Sequence, residues 1–255
     1  MSNYQSDQES PQAAPGGAMP LLRGPKRTKP IVVWVLIVIT VLFYVFQEIF
    51  TQFYGFDLPF YLLGKINEQI MLGQFWRLIT PVFLHGSILH LLANMYALYI
   101  LGRNNEMLNG HLRFGLLYFL SAFGGNVLSF VLGKYPSLGA STATFGLLAA
   151  EAVFIWQNKP FFGKQASRSL VNIGMILMLN LFIGLGSSGT IDNWGHLGGL
   201  IAGFFFAFLA GVRWSIENVD NFPAIVDKRN KKDIALAALM VFATFVAIAA
   251  IPFLR

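Results

Sequence analysis

The chain has 255 residues, of which 55% are hydrophobic and 12% are charged. A soluble domain carries about 25% charged residues, so this composition favours a membrane protein. There is no cysteine, which excludes disulfides, thiolate metal sites and a cysteine nucleophile. The formal net charge of +6 would suit a nucleic-acid partner, so the distribution of the basic residues has to decide between the two classes.

Residues 1–30 differ in composition from the rest of the chain. The stretch from Ser2 to Pro20 is rich in Pro, Gln, Ser and Ala and has no apolar periodicity, which predicts disorder. The first apolar run starts only at Ile31, and no small-residue cleavage site follows it. Residues 1–30 are therefore predicted to be a disordered cytoplasmic tail and not a signal peptide.

Seven apolar runs are long enough for spanning helices, which need about 20 residues each. They cover residues 31–50, 83–102, 113–133, 139–157, 169–186, 194–212 and 233–253. The segment 51–82 is interrupted by polar residues and predicts a long loop with short amphipathic pieces at the membrane interface. The predicted fold is all-α and polytopic. Its six-span core covers residues 31–212, a cytoplasmic loop covers 213–232, and residues 233–255 form a seventh transmembrane helix.

The basic residues predict the orientation of these spans. If the N-terminus is cytoplasmic, 14 of the 18 basic residues fall on the inner side. They are Arg23, Lys26, Arg27, Lys29, Arg103, Arg113, Lys159, Lys164, Arg168, Arg213, Lys228, Arg229, Lys231 and Lys232. The C-terminus is then outside. Because topology explains the positive charge, no nucleic-acid partner is expected.

Polar side chains within the spans are costly in lipid and are therefore candidates for function. The second span carries His85, His90 and Asn94 in the string HGSILHLLAN, and the last two share one helix face. The fourth span begins with Ser141 in its first turn, and the sixth begins with His196. All three spans run from outside to inside, so these groups are predicted to converge on one outer layer of the membrane.

Small residues accompany these polar groups. Gly195, Gly199 and Gly203 recur at intervals of four, the spacing that lets helix backbones approach closely in membranes. Gly139 and Gly146 offer a matching small surface around Ser141. Ordinary membrane packing explains any one glycine, but it does not explain a histidine beside them. A short serine side chain needs such an approach to reach an imidazole on another helix.

The residues predict a nucleophile and its base. A serine hydroxyl is a poor nucleophile until a base removes its proton, and His196 is the natural base for Ser141. Backbone amides at the helix start, with His90 and Asn94, could donate hydrogen bonds to an oxyanion. Asp192 is expected in the outer loop, away from the His196 ring. Glu151 lies too deep to help, and its pairing with an inner basic residue is the simplest interpretation.

Other intramembrane chemistries fit poorly. A zinc protease needs the helical pattern HExxH, whereas this chain has HxxxxH without glutamate. A membrane aspartyl protease needs two deep acids, and only Glu151 lies deep. A transporter with inverted repeats should show matched broken helices in two halves. We expect no cofactor and no metal.

The sequence resembles the rhomboid family of intramembrane serine proteases over about residues 31–212, with an added seventh helix as in the six-plus-one members. The resemblance rests on several motifs in the correct order: Trp76-Arg77, His85/His90/Asn94, Gly139-Ala140-Ser141, and His196 followed by Gly199 and Gly203. It implies that Ser141 and His196 are catalytic and that His90 and Asn94 stabilise the oxyanion. It also implies structural support from His85, Trp76, Arg77, Glu106, Gly139 and Gly199.

Two positions depart from the family pattern. Thr142 follows the nucleophile where Gly is usual, and Phe145 stands where a Tyr commonly packs beneath the base. Neither change removes catalytic chemistry. The resemblance implies an endopeptidase that cleaves transmembrane segments of single-span or polytopic membrane proteins. We expect the protein in the plasma membrane. The alternative is an inactive rhomboid-like protein that binds transmembrane clients, although such relatives usually lack the serine or the histidine.

Overall fold

The computed structural model describes residues 22–187 and 191–254, without the Leu181 side chain. The helices and strands are α1 (Ile31–Tyr54), α2 (Leu58–Leu63), α3 (Asn67–Met71), α4 (Ile88–Ala97), α5 (Arg103–Leu132), α6 (Ser141–Gln157), α7 (Lys159–Phe162), α8 (Lys164–Gly186), α9 (Asn193–Ala210), β1 (Trp214–Val219), β2 (Phe222–Asp227) and α10 (Lys231–Ala250). Short 3-10 helices cover Phe75–Leu78, Thr80–Phe83 and Ile251–Leu254, and a π-helical turn, Leu98–Gly102, joins α4 to α5. The predicted all-α, polytopic fold is confirmed.

Five helices in the described part of the chain are long and apolar enough to cross a bilayer. They are Ile31–Tyr54, Ile88–Leu132, Lys164–Gly186, Asn193–Ala210 and Lys231–Leu254. The second has 45 residues, and Gly110 breaks it with φ 77° and ψ 170°. Its two legs correspond to two of the predicted spans. Helix α6 has 17 residues, which gives it a length of about 25 Å.

Glu106 closes the N-terminus of α1. Its Oε1 accepts hydrogen bonds from the amides of Ile31 (3.0 Å) and Val32 (2.8 Å), and its Oε2 accepts one from Val33 (2.8 Å). These are amides that an α-helix leaves without internal partners, and a carboxylate at this end also matches the helix dipole. The fully buried Glu106 side chain thus joins α5 to the start of α1.

A β-hairpin lies between α9 and α10, where the sequence predicted only a loop. Strands β1 and β2 pair antiparallel, and Asp220 and Asn221 form the turn with φ of 52° and 64°. Arg23 pairs with β2 on its other edge: its amide donates to the Pro223 carbonyl, and its carbonyl accepts from Ile225 (both 3.0 Å). Residues 22–30, predicted to belong to the disordered tail, therefore hold backbone contacts. Residues 1–21 lie outside the described part.

The core sits where α5, α6 and α9 cross. Glycines let the helices approach so closely that added side chains would overlap the neighbouring backbone. A Cβ at Gly199 would fall on the carbonyl oxygen of Thr142, and one at Gly203 would fall on the backbone of Gly146. The interval of four places these glycines along one stripe of α9. The stripe brings the start of α9 against the start of α6.

Candidate active site

Ser141 and His196 meet at the ends of α6 and α9. The Nε2 atom of His196 lies 2.9 Å from the Ser141 Oγ, within hydrogen-bond distance. Both residues occupy the first turn of their helices, as predicted. Two residues that are 55 positions apart in sequence thus form the nucleophile–base geometry that acyl-transfer chemistry requires.

A cavity of about 1010 Å³ opens at this pair. Its wall includes His90, Asn94, Thr144 and Asn180, together with the segment 132–138 that precedes the nucleophile. An opening of this size is large enough to admit an extended stretch of polypeptide. The predicted convergence of polar groups from three helices is therefore found around one space.

His90 lies beside the loop that leads into Ser141. A Cβ at Gly139 would come within 2.9 Å of the His90 Nε2 atom, so only glycine leaves room for the ring. Gly139 also has φ 123°, a conformation that residues with a Cβ rarely adopt. Asn94, one turn below, donates to the His90 carbonyl at 2.9 Å and faces the same cavity.

His85 supports the peptide next to the nucleophile. Its Nε2 lies 3.4 Å from the Ala140 amide, and its own amide donates to the Gln47 side chain at 2.9 Å. The His85 and His90 rings contact edge to face, with centroids 4.9 Å apart. His85 is buried and stands behind the site rather than in the cavity.

Trp76 and Arg77 hold the long loop together. The buried Arg77 guanidinium donates to the carbonyls of Gly64 and Tyr61, both at 2.7 Å. The Trp76 indole donates to the Leu62 carbonyl at 3.1 Å, while the ring is half exposed. These contacts lie within the segment 61–77, and the support role stays a prediction.

Three acidic or basic groups take positions that the sequence did not specify. His111 places Nδ1 2.6 Å from the Glu106 Oε1. Asp192 caps α9 by accepting from the Gly195 amide at 2.8 Å and makes no hydrogen bond to the His196 ring. Glu151 has no hydrogen-bond or ion-pair partner among the described residues, so the expected pairing with a basic residue is not found.

Thr142 occupies a gap between two glycines. A Cβ at Gly125 of α5 would lie 2.6 Å from the Thr142 Cβ, and one at Gly195 of α9 would lie 3.1 Å from its methyl carbon. The side chain therefore fills space that these glycines leave open. Its buried hydroxyl has no hydrogen-bond partner in the described part of the chain.

Lys65 is a site-supporting residue that the sequence did not reveal. It was one of the few basic residues on the predicted outer side, and its side chain is fully buried. Its Nζ donates to the Tyr135 carbonyl at 2.6 Å and to Asn67 Oδ1 at 3.0 Å. Its exceptional place in the charge distribution was the only available signal.

Comparison of the sequence with known proteins identifies a family. The family model described as Rhomboid domain matches residues 72–213. Rhomboid protease GluP of Bacillus subtilis (strain 168) is 42% identical over 149 residues, which is 58% of this chain and 29% of the relative. RHOMBOID-like protein 5 of Arabidopsis thaliana is 36% identical over 176 residues, 67% of this chain and 56% of the relative.

A further relative is RHOMBOID-like protein 6, mitochondrial, of Arabidopsis thaliana, 40% identical over 150 residues. The match covers 58% of this chain and 48% of that relative, so the chain corresponds to only part of each of the three. The matched family model includes Ser141, His196 and the cavity between them. With its apolar helices, the chain is an integral membrane protein, and it belongs to the rhomboid family.

Proposed function

We propose that this protein is an intramembrane serine endopeptidase that cleaves transmembrane segments with the Ser141–His196 dyad. The observation that carries the proposal is the 2.9 Å approach of His196 Nε2 to Ser141 Oγ at the wall of a large cavity. A relative named as a protease, GluP, supports the same chemistry. A protein that only bound clients would not need a nucleophile and a base within hydrogen-bond distance of each other.

The geometry supports an acyl-transfer sequence. His196 Nε2 accepts the Ser141 proton while Oγ bonds to the substrate carbonyl carbon, which requires the other ring nitrogen to carry the imidazole proton. Collapse of the tetrahedral intermediate breaks the C–N bond, and the imidazolium returns the proton to the leaving amine. Water, activated by the same imidazole, then hydrolyses the acyl-enzyme and restores the serine hydroxyl.

Donors for the developing oxyanion come from two elements. The first amide of α6 that finds a carbonyl one turn back is Thr144, which donates to Ala140, so the earlier amides are free of helical partners. His90 and Asn94 face the same cavity from α4. Such preorganised donors are worth more in a site that excludes bulk water.

The distribution of basic residues supports a cytoplasmic N-terminus, an outer C-terminus and a site near the outer face of the membrane, for which we propose the plasma membrane. Substrates would be single-span or polytopic membrane proteins whose helices reach the cavity from the lipid. A small residue before the scissile bond is the expected preference from the family resemblance.

The test uses the purified full chain in detergent with a panel of single-span substrates. Wild type should cleave, whereas Ser141→Ala and His196→Ala should lose cleavage with little change in thermal unfolding, because the two side chains act as a unit. A fluorophosphonate should label Ser141, and His196→Ala should suppress the labelling. Binding of substrates without cleavage or labelling by wild type would favour the inactive, client-binding alternative.

A further inference from the structure

Asp192 makes two contacts that point in different directions. Its Oδ1 accepts from the Gly195 amide at 2.8 Å, which caps the helix that carries His196. Its Oδ2 accepts from the Ser129 hydroxyl at 2.5 Å, near the end of α5. Because one carboxylate makes both contacts, it ties the start of α9 to α5 one helical turn before His196.

The end of α5 is itself fixed by Lys65, in the loop after α2, and by Asn67, the first residue of α3. Lys65 Nζ lies 3.5 Å from the Ser129 carbonyl, and Asn67 donates to the carbonyls of Phe130 (3.2 Å) and Gly133 (2.9 Å). Burial lowers the pKa of Lys65, and the negative charges of Asp192 and Glu68 oppose that shift. The buried ammonium and the capping carboxylate thus face each other across Ser129.

The same loop also fixes the segment that leads to the nucleophile. The Lys65 amide donates to the Ser137 carbonyl, and the Ser137 amide donates to the Lys65 carbonyl, both at 3.0 Å. Ser137 stands four residues before Ser141. The same short stretch of chain, residues 65–67, therefore contacts both the segment before Ser141 and the end of α5, to which Asp192 ties the helix of His196.

We propose that Asp192, through its bridge to Ser129, is a positioning residue that sets the His196 imidazole against Ser141. It is not the third member of a triad, since its two oxygens are bonded to Gly195 and Ser129. This inference rests on the proposed protease function. A displacement of about 1 Å between reacting groups can reduce a rate about 100-fold, so a lateral tie of this kind has a catalytic consequence.

Three substitutions separate the bridge from the cap. Asp192→Ser keeps a good capping oxygen but is too short to reach Ser129. Ser129→Ala removes the bridge from the other side and leaves the cap intact. Asp192→Asn keeps an acceptor for Gly195 and a donor for Ser129. The control is Asn230→Ala, which removes the cap of α10, where Asn230 accepts from Lys232 and Asp233 far from the dyad.

The readouts are kcat, KM, the rate of fluorophosphonate labelling and thermal unfolding of the full chain. Asp192→Ser and Ser129→Ala should each lower kcat and the labelling rate by about 10- to 100-fold, with KM within about twofold. The double variant should be no worse than either single one, because both remove the same contact. Asp192→Asn should recover most of the rate, and Asn230→Ala should leave kcat unchanged.

Two results would overturn the positioning role: wild-type kcat in both bridge variants, or an equal fall in kcat in Asn230→Ala, which would indicate general destabilisation. Failure of the protease proposal looks different. In that case wild type itself neither cleaves any substrate in the panel nor reacts with the fluorophosphonate.

Discussion

The Phe145 ring lies nearly parallel to the His196 imidazole, with centroids 4.2 Å apart and 11° between the planes. Phe145 follows Ser141 by one turn of α6, so the nucleophile and this ring share a helix face. The stacked ring limits rotation of the imidazole about its side-chain bonds. It needs no hydroxyl to do so, which gives a physical reason why Phe can stand at this position.

Replacing this ring tests its role in orienting the base. Phe145→Tyr should retain wild-type kcat, whereas Phe145→Leu should lower kcat about 2- to 12-fold, the equivalent of about 0.5–1.5 kcal/mol of aromatic contact. Cleavage kinetics in detergent measure both. Phe204→Leu is the matched control, since it removes a ring stacked on Phe208 of the same helix away from the cavity. Equal losses in the control and in Phe145→Leu would argue against a role in orientation.

The oxyanion assignment predicts a selective effect on turnover. His90→Ala and Asn94→Ala should each lower kcat by about 10- to 1000-fold, the range for loss of one oxyanion donor, with little change in substrate binding. Steady-state cleavage combined with binding to the Ser141→Ala variant separates the two quantities. If either variant instead weakened binding and kept kcat, the side chain would be a substrate contact.

The close crossing of α6 and α9 predicts that Gly199 cannot carry a side chain. Gly199→Ala would place a methyl group on the Thr142 carbonyl and force the helices apart, at a cost of about 1–3 kcal/mol in folding free energy. Since Thr142 follows the nucleophile, cleavage should also fall. Gly115→Ala is the control, because its added Cβ would have no neighbour within 4 Å apart from its own stretch of helix backbone. Thermal unfolding that ranks the two variants equally would contradict this account.

Substrate selection is predicted to depend on helix opening near the outer end of the segment. A serine reaches a helical carbonyl only after the helix extends, which leaves backbone groups unpaired at several kcal/mol each in lipid. Gly or Pro near the cut lowers that cost by about 1–3 kcal/mol relative to Ala. One substrate with Gly, Ala or Leu just beyond the cleavage site should be cut in that order. Equal rates for the Gly and Leu versions would exclude helix opening as the selecting step.

We expect helix α8 to move aside when a substrate segment enters the cavity from the lipid. Its sequence is interrupted by Asn172, Gly174 and Asn180, which predicts lateral movement. In the structure, 12% of the most apolar 18-residue stretch of α8 is buried, against 67% of the corresponding stretch in Ile88–Leu132. Asn180 of α8 lines the cavity. Few contacts thus oppose its displacement.

The sequence predicts the fold class and the approach of His196 to Ser141 because both depend on regular patterns. Long apolar runs predict spanning helices. The glycines at intervals of four beside His196 predict the close helix crossing that brings Ser141 within hydrogen-bond distance of His196. The sequence also separates the two spans on either side of Gly110, but it does not show that helix continues through residues 103–109, since their polarity is equally typical of a loop. The hairpin escapes prediction because each strand has only six residues and β2 contains Pro223, a residue that argues against a strand in a sequence pattern.

The contacts that support the site cannot be predicted from sequence patterns. Lys65, Asn67 and Ser129 come together from segments more than 60 residues apart, and each acts through a backbone carbonyl or a single hydroxyl. Such contacts follow from the packing of the loop on α5, which only the folded chain defines. Glu106 was identified through the family resemblance, but its partners at the start of α1 were not.

The pairing of Arg23 with β2 has a consequence for where the chain can be shortened. With Arg23 in place, the Pro223 carbonyl and the Ile225 amide are both occupied, and the guanidinium lies 4.8 Å from the centre of the Phe222 ring. Removal of residues through Arg23 would leave that strand edge open, and open edges recruit strands from other molecules. A truncation that retains Leu22 and Arg23 keeps the β2 edge paired. A truncation that removes both residues would expose an unpaired, aggregation-prone strand edge next to the membrane.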